Sequence, residues 1–421
     1  MKPATASSRL SKSVEHRALW LRRAVALFGI LLIAATWPLW TPEAVFAQVP
    51  VVPGKWLPGD WGQWLATGLL VAALMAMLVL PSGRPAGIAC GVVASCFAGA
   101  MLFDQGRMQP WAYQFLLLAV LLASCGPRVA MALTRVLVIA FYFESALTKF
   151  DYSFLHTLGQ QFLAALAGLF GAGVDDWSSA ARLAAAAVFP VGELLVAAGL
   201  AFRRTRTIAL VAAVILHLLL LAILGPWGLA HQPGVLLWNA YFIVQDLILF
   251  WSERSLAEND GGPPQRAPWP VLALVMGVVV LPLTEPWGLF DLWPSWGLYA
   301  SSAERVSLQV HRIARSRLPE QLAPFVEVPA DELDPWLTVR LDRWALNARR
   351  APIYPQARVQ LGVAIAVAEG AGLAERARFI RFGRADRWTG ERETAIYSGV
   401  PEARAAAERY FLNALPRQPF R

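Results

Sequence analysis

The sequence predicts an all-α polytopic membrane bundle of about nine helices, followed by a small C-terminal α+β domain. Three observations predict this fold class. The 421-residue chain is 57% apolar and only 16% charged, whereas soluble proteins average about 45–50% and 25%. Several stretches of about 20 residues carry few charges, which is the length at which a helix crosses a bilayer. After residue 290 the apolar stretches shorten and arginine becomes frequent.

The N-terminal residues 1–23 are polar and basic, which predicts a cytoplasmic leader. An apolar stretch follows directly. It is either a signal peptide cleaved near Ala44-Val45-Phe46-Ala47 or a retained membrane anchor. The long leader and the many apolar stretches that follow favour the anchor.

Nine apolar stretches are the predicted membrane helices of a domain at 24–290. They cover about 24–40, 61–80, 86–103, 111–125, 129–148, 180–202, 207–225, 235–251 and 269–290. The stretch at 154–173 is interrupted by His156, Gln160 and Gln161, so it predicts an interfacial or re-entrant helix. A polar connection at 252–268 precedes the last helix.

The arginines predict the orientation of the bundle. They cluster in the N-terminal leader and in alternate connections, at Arg84, Arg128, Arg135 and 203–206. The positive-inside rule places these segments in the cytoplasm of a bacterial-type inner membrane. After nine crossings, Lys149 and everything beyond residue 290 lie on the outer side. The net charge of +8 therefore indicates orientation and not a nucleic-acid partner.

Residues 291–421 predict an external α+β domain of ordinary size. Alternating apolar residues predict strands at 304–313 and 336–346. The stretches at 355–373 and 401–415 predict helices, and the stretch at 378–397 predicts a hairpin. The domain contains no phosphate loop, zinc spacing or nucleophile elbow. Its arginines indicate a solvated face, with a protein partner or lipid head groups as the alternatives.

Lysine use points to one residue. The chain has only four lysines, Lys2, Lys12, Lys55 and Lys149, and only Lys149 lies within the helical body. A desolvated lysine can release its proton and act as a base, whereas arginine stays charged. The alternative is an anchor whose charged end reaches the membrane surface. Helical spacing places Ser145 and Tyr142 on the same face as Lys149.

Other polar residues in the predicted helices complete the candidate set: Glu144, Asp151, Glu193, His217, Asn239 and Asp246. Glu144 is five positions from Lys149 and points elsewhere, so Asp151 is the predicted partner of the lysine. Glu193 is deep in its helix and needs a partner, for which His217 is the candidate. The alternative is a helix–helix hydrogen bond that fixes packing. The three cysteines show no metal-ligand spacing, and no metal site is predicted.

The segment Tyr142-Phe143-Glu144-Ser145-Ala146-Leu147-Thr148-Lys149-Phe150-Asp151 resembles the tyrosine-phenylalanine … lysine-leucine-aspartate segment of vitamin K-dependent γ-carboxylases. These enzymes share the horizontally transferred transmembrane domain, and DoxX-type quinone-linked proteins are a neighbouring group. The resemblance continues through the acidic residue in Val191-Gly192-Glu193-Leu194-Leu195 to His217. Lys149 matches the lysine that activates the reduced quinone in the carboxylases.

The chain also departs from that family. Thr148-Lys149 replaces a double lysine, Phe150 replaces leucine, and Leu218-Leu219-Leu220 occupies the place of an asparagine. The C-terminal domain is shorter than the lumenal part of the carboxylases. These departures argue against glutamate carboxylation. They do not affect the prediction of the membrane fold.

The resemblance implies an enzyme that acts on a quinone or another lipid-soluble molecule, with reduced quinone as the candidate cofactor. Lys149 is then the general base, with His217 and Glu193 orienting it or relaying protons. The predicted substrate-binding residues are Tyr142, Asp151 and Asn239. One alternative is a non-catalytic scaffold whose external domain binds a protein. A transporter is the other, against which the absence of inverted repeats argues.

Overall fold

A computed structural model of the chain describes residues 6–42, 45–53, 59–251, 266–418 and 420. Three features singled out in the sequence lie outside these residues in whole or in part. They are the lysines Lys2 and Lys55, residue Ala44 of the cleavage-like motif, and most of the polar connection at 252–268.

Seven of the nine predicted membrane helices begin and end within two residues of the predicted positions, whereas the first begins earlier, at Ala6, and the last ends earlier, at Val280. The helices of the apolar part are α1 (Ala6–Ala35), α2 (Trp37–Trp40), α3 (Asp60–Val79), α4 (Arg84–Phe103), α5 (Pro110–Ser124), α6 (Pro127–Leu147), α7 (Tyr152–His156), α8 (Leu158–Leu169), α9 (Ser179–Ala201), α10 (Arg206–Leu224), α11 (Pro233–Phe250) and α12 (Trp269–Val280). Three of them, α5, α6 and α11, begin with proline. Proline suits a first helical position because its missing N–H would have no partner there.

Eight helical stretches among the described residues are long and apolar enough to cross a membrane. The number is one fewer than predicted because α5 has only 15 residues. At 1.5 Å per residue it is about 22 Å long, shorter than a bilayer core of about 30 Å. The last stretch, Trp269–Trp287, joins α12 to a 3-10 segment. Residues 6–23 of the predicted leader are helical, since α1 begins at Ala6 and continues into the first apolar stretch.

The chain forms two compact units. The bundle unit comprises Met1–Leu32, Leu69–Ser95 and Pro110–Ser301, and the C-terminal unit comprises Ile33–Gly68, Cys96–Gln109 and Ser302–Arg421. The predicted C-terminal domain thus gains two earlier segments and begins at Ser302 instead of residue 291.

Within the bundle unit, α6 packs against α9 and α11, and α10 packs against α9 and α11. Large aromatic side chains that are almost completely buried fill the space between helices: Phe115, Tyr142, Tyr241 and Phe242. Aromatic side chains bury large apolar areas, and here they bring polar groups on α6, α10 and α11 into one interior. A second apolar cluster forms around Phe162, Ile223 and Leu224.

The C-terminal unit contains a five-stranded antiparallel sheet of order β2-β3-β1-β4-β5. The strands and helices are β1 (Arg305–His311), β2 (Val326–Glu327), β3 (Trp336–Val339), α13 (Leu341–Arg349), α14 (Ala357–Gly370), β4 (Ala377–Ala385), β5 (Arg392–Ser398) and α15 (Gly399–Ala407). The first predicted strand, the hairpin and the helix predicted at 355–373 are confirmed. The helix predicted at 401–415 is confirmed only up to Ala407, where α15 ends. The strand predicted at 336–346 is wrong beyond Val339, where α13 begins. Leu341, Trp344 and Ala345 are the buried residues there, and their spacing also fits one face of a helix.

Buried arginines explain why the two earlier segments belong to the C-terminal unit. Arg107 donates to the Leu39 carbonyl at 3.0 Å and to Gln63 Oε1 at 2.7 Å. Burial lowers the pKa of the Arg107 guanidinium to about 10. Arg349 forms a buried ion pair with Asp104. Buried charges need such partners, so these contacts fix the segments to the unit.

Gly362 allows α14 to lie in the centre of the C-terminal unit. A Cβ atom at this position would lie 2.5 Å from the Ala414 carbonyl oxygen and 2.8 Å from the Val49 side chain. We therefore expect Gly362→Ala to destabilise the protein by about 1–3 kcal/mol, in the range of overpacked cores. Gly91→Ala is the matched control, because no atom of the described residues other than the adjacent backbone of its own helix lies within 4 Å of its Cβ position. Alanine favours helices by about 1 kcal/mol over glycine. The free energy of unfolding, measured by titration, should therefore fall in Gly362→Ala and not in Gly91→Ala. A decrease in both variants would contradict the close approach of the chain to Gly362.

Candidate functional site

The ammonium group of Lys149 lies inside the bundle unit, just beyond the end of α6. The residue is only 3% exposed. Its Nζ donates to Glu193 Oε2 at 2.8 Å and Oε1 at 3.0 Å. It also donates to Ser145 Oγ at 2.6 Å and to the Ser145 carbonyl at 3.0 Å. We call Lys149, Glu193 and Ser145 the Lys149 network. All acceptors of the lysine come from α6 and α9, so the two helices fix its position.

Glu193 reaches the lysine from α9, three residues beyond a proline inside that helix. Pro190 lacks a backbone N–H and so removes one hydrogen bond of the preceding helical turn. The bond with Glu193 corrects two predictions. The partner of Lys149 is Glu193 and not Asp151, and the partner of Glu193 is the lysine and not His217. Sequence spacing predicted the Ser145 contact correctly, and Glu144 is not among the lysine's acceptors.

Asp151 has a local structural contact instead. Its Oδ1 accepts a hydrogen bond from the Phe154 backbone N–H at 2.5 Å and so caps the N-terminus of α7. Aspartate is a preferred residue at this position because it satisfies an N–H that has no partner within the helix. The cap fixes the direction in which the backbone leaves the Lys149 turn.

A second polar group, which we call the Tyr142 network, contains Tyr142, His217, Asn239 and Asp246. The Tyr142 hydroxyl lies 2.6 Å from Asp246 Oδ2 and 2.7 Å from His217 Nε2. His217 Nδ1 lies 2.9 Å from Asn239 Oδ1. Asn239 Nδ2 donates to the Val235 carbonyl at 2.9 Å. These hydrogen bonds connect α6, α10 and α11 in one continuous row.

The Tyr142 network is enclosed by aromatic rings. The His217 ring stacks on Phe242, with ring centroids 4.8 Å apart and planes 10° apart. Phe141 lies next to Phe242 and Trp238. Asp246 is completely buried, and its Oδ1 has no hydrogen-bond partner among the described residues; the same holds for the Nε2 atom of Gln245. In these surroundings each polar atom depends on the few partners just named.

The two networks lie along one face of α6 and its C-terminal end. Tyr142 and Ser145 are three residues apart on α6, and Lys149 is four residues further, so they follow one helical face. The structure brings Lys149 together with Glu193, and Tyr142 together with His217 and Asn239. The substrate-binding roles of Tyr142, Asp151 and Asn239 stay predictions.

Asp246 is the residue whose place in the site the sequence did not reveal. It belongs to the candidate set of polar residues, but no role was predicted for it. A spacing signal exists, because Asn239, Phe242 and Asp246 are separated by three and four residues and so share one face of α11.

The described residues contain no group of three or more histidine, cysteine or acidic side chains placed to hold a metal ion. Comparison with known proteins gives no match, since no family model, no curated protein and no solved structure is significantly similar to the chain.

Proposed function

We propose that this protein is an integral membrane enzyme that removes a proton from a reduced quinone or another lipid-soluble molecule with an acidic hydroxyl group. The observation that carries the proposal is the Lys149 amine, which is 3% exposed and 2.8 Å from a carboxylate. Ionisable residues within apolar helices are costly, and they commonly mark functional sites.

The Lys149–Glu193 pair has two positions for one proton. When the proton passes from the ammonium to the Glu193 carboxylate, the lysine becomes a free amine. The amine can then take the proton of a substrate hydroxyl, so that an N–H bond forms as the O–H bond breaks. The negative charge moves from Glu193 to the substrate oxygen, beside the renewed ammonium. Lysine suits this exchange because arginine holds its proton too firmly.

The surroundings of the two networks suit a flat apolar substrate. The aromatic rings of Phe141, Trp238 and Phe242 form the interior between α6 and α11. Asp246 Oδ1 and Gln245 Nε2 have no hydrogen-bond partner among the described residues, so one acceptor and one donor remain for a polar group of a ligand. A reduced quinone supplies two hydroxyl groups on a planar ring.

The membrane setting is part of the proposal. Eight long apolar helices support a multi-pass protein. We place it in a bacterial-type inner membrane with the N-terminus in the cytoplasm, because basic residues cluster in alternate connections. The proposed outer location of the C-terminal unit requires that α5 crosses as a ninth helix. A protein partner of the C-terminal unit belongs to the same proposal.

Two observations favour an enzyme over a scaffold. A scaffold needs no buried acid–base pair, and its lysine is expected to face solvent. Lys149 is buried, and Glu193 is its direct partner. The resemblance to γ-carboxylases supports the same role for Lys149, with Glu193 as the acid that shares its proton.

Binding of a reduced quinone tests the proposal. We expect the purified protein to release a quinone on organic extraction, detected by mass spectrometry. In lipid nanodiscs, reduced decylubiquinone should quench tryptophan fluorescence, and Lys149→Met should weaken this binding at least about tenfold, equivalent to 1.4 kcal/mol. Arg343→Met is the control, because Arg343 is a solvent-exposed cation of the C-terminal unit. Absence of quinone from the extract together with equal quenching in all three proteins would refute the proposal.

A further inference from the structure

We infer that the Tyr142 network stores one proton and transfers it between Asp246 and His217 through the Tyr142 hydroxyl. The inference goes beyond the proposed reaction, because it concerns four side chains in the absence of a substrate. It assigns a proton-transfer role to Asp246, a residue outside the Lys149 network.

The Val235 carbonyl fixes the orientation of the Asn239 side-chain amide. Its Nδ2 lies 2.9 Å from the Val235 carbonyl oxygen, and only a donor can form a hydrogen bond with that oxygen. The amide oxygen therefore faces His217, at 2.9 Å from Nδ1. Because an amide oxygen only accepts, His217 Nδ1 carries a hydrogen.

The hydrogen bonds of the Tyr142 network require a fixed number of hydrogens. Three contacts need one hydrogen each: Asp246 to Tyr142, Tyr142 to His217, and His217 to Asn239. The tyrosine hydroxyl supplies one, and a neutral histidine supplies one. An ionised aspartate supplies none. The ordinary combination of a carboxylate with a neutral imidazole is therefore one hydrogen short, and it would leave two acceptors facing each other at 2.6 or 2.7 Å.

Two arrangements supply the missing hydrogen. In the neutral one, Asp246 is protonated and donates to the Tyr142 oxygen, Tyr142 donates to His217 Nε2, and Nδ1–H donates to Asn239. In the charged one, the imidazolium donates from both nitrogens, and Tyr142 donates to the Asp246 carboxylate. They contain the same atoms. One changes into the other when the Asp246 hydrogen moves to the tyrosine oxygen while the tyrosine hydrogen moves to Nε2.

The surroundings favour the neutral arrangement at rest. Asp246 is completely buried, its Oδ1 has no hydrogen-bond partner among the described residues, and its Oδ2 contacts the Tyr142 hydroxyl. The imidazole faces the Phe242 ring, Tyr142 and Asn239. The Lys149–Glu193 ion pair lies beyond the end of the same face of α6, and its charges balance each other. Burying opposite charges on either side of a tyrosine costs more than burying neutral groups.

Infrared spectroscopy of the full-length protein tests the inference. We expect the wild-type protein at neutral pH to show a carboxylic-acid carbonyl band that shifts in D2O and is lost in Asp246→Asn. Tyr142→Phe should move the band to higher frequency, because the acid loses its hydrogen-bond acceptor. Asp176→Asn is the control and should leave the band unchanged, because Asp176 is exposed to solvent.

Nuclear magnetic resonance of the isotope-labelled wild-type protein tests the same inference and does not require that Asp246→Asn folds. Protein carrying 13C in the aspartate carboxyl carbon and 15N in histidine should show one protonated aspartate, or else one imidazolium whose signal disappears in His217→Gln. Ionised aspartates together with a neutral His217 would overturn the inference. A wild-type protein that shows the acid band but binds no quinone would refute only the proposed function. A wild-type protein that binds quinone but carries no such proton on Asp246 or His217 would refute only the inference about the Tyr142 network.

Discussion

Replacing Lys149 with methionine is expected to destabilise the folded protein by about 3–5 kcal/mol. The variant leaves the Glu193 carboxylate in the interior of the bundle unit, where the residue is 8% exposed, without its cation. Removing one partner of a buried ion pair typically has this effect, because the remaining charge is then uncompensated. The free energy of unfolding can be measured by reversible titration with a denaturing detergent in mixed micelles.

The double variant Lys149→Met/Glu193→Gln distinguishes a structural from a functional role of the pair. Glutamine keeps the shape of Glu193 without its charge, so the double variant should regain most of the lost stability. Quinone binding should stay weak in both variants, because neither has the amine. A single variant as stable as the wild-type protein would contradict the buried ion pair. Recovery of binding along with stability would show that the lysine only supports the fold.

Apolar periodicity and turn residues predicted the helices well, because a helix that crosses a membrane depends on local composition. The exception is α5, whose 15 residues were counted as a full span. The composition of Pro110–Ser124 is as apolar as that of its neighbours, and only its length distinguishes it. The two segments 33–68 and 96–109 could not be assigned to the C-terminal unit either. Their place depends on contacts such as Arg349–Asp104, which join residues far apart in the sequence.

The site was predicted only in part for a similar reason. Contacts within one helix follow from spacing, and the Ser145–Lys149 contact was predicted in this way. Contacts between helices depend on the rotation of each helix about its axis, which composition does not determine. The sequence therefore favoured the nearby Asp151 as the partner of the lysine over Glu193, which is 44 residues away. No role was predicted for Asp246, because its partner, Tyr142, is on another helix.

The largest effect expected in the C-terminal unit follows from Arg349→Met. Arg349 and Asp104 form an ion pair with side chains only 7% and 2% exposed. In the variant the Asp104 carboxylate loses its ion-pair partner and keeps the hydrogen bond from the Gly106 backbone N–H at 3.0 Å. We expect a loss of about 3–5 kcal/mol, measured by the same unfolding titration of the full-length protein.

Arg343→Met is the matched control for Arg349→Met, because both arginines belong to α13 and helix propensity changes equally. Arg343 lies 3.0 Å from Glu327, but the two side chains are 60% and 42% exposed. Solvent-exposed pairs contribute about 0–1 kcal/mol, since water already screens both charges. The difference between the two variants therefore measures burial and not charge number. Equal losses of stability would show that Asp104 is solvated, and the buried arginines would then not explain why segment 96–109 belongs to the C-terminal unit.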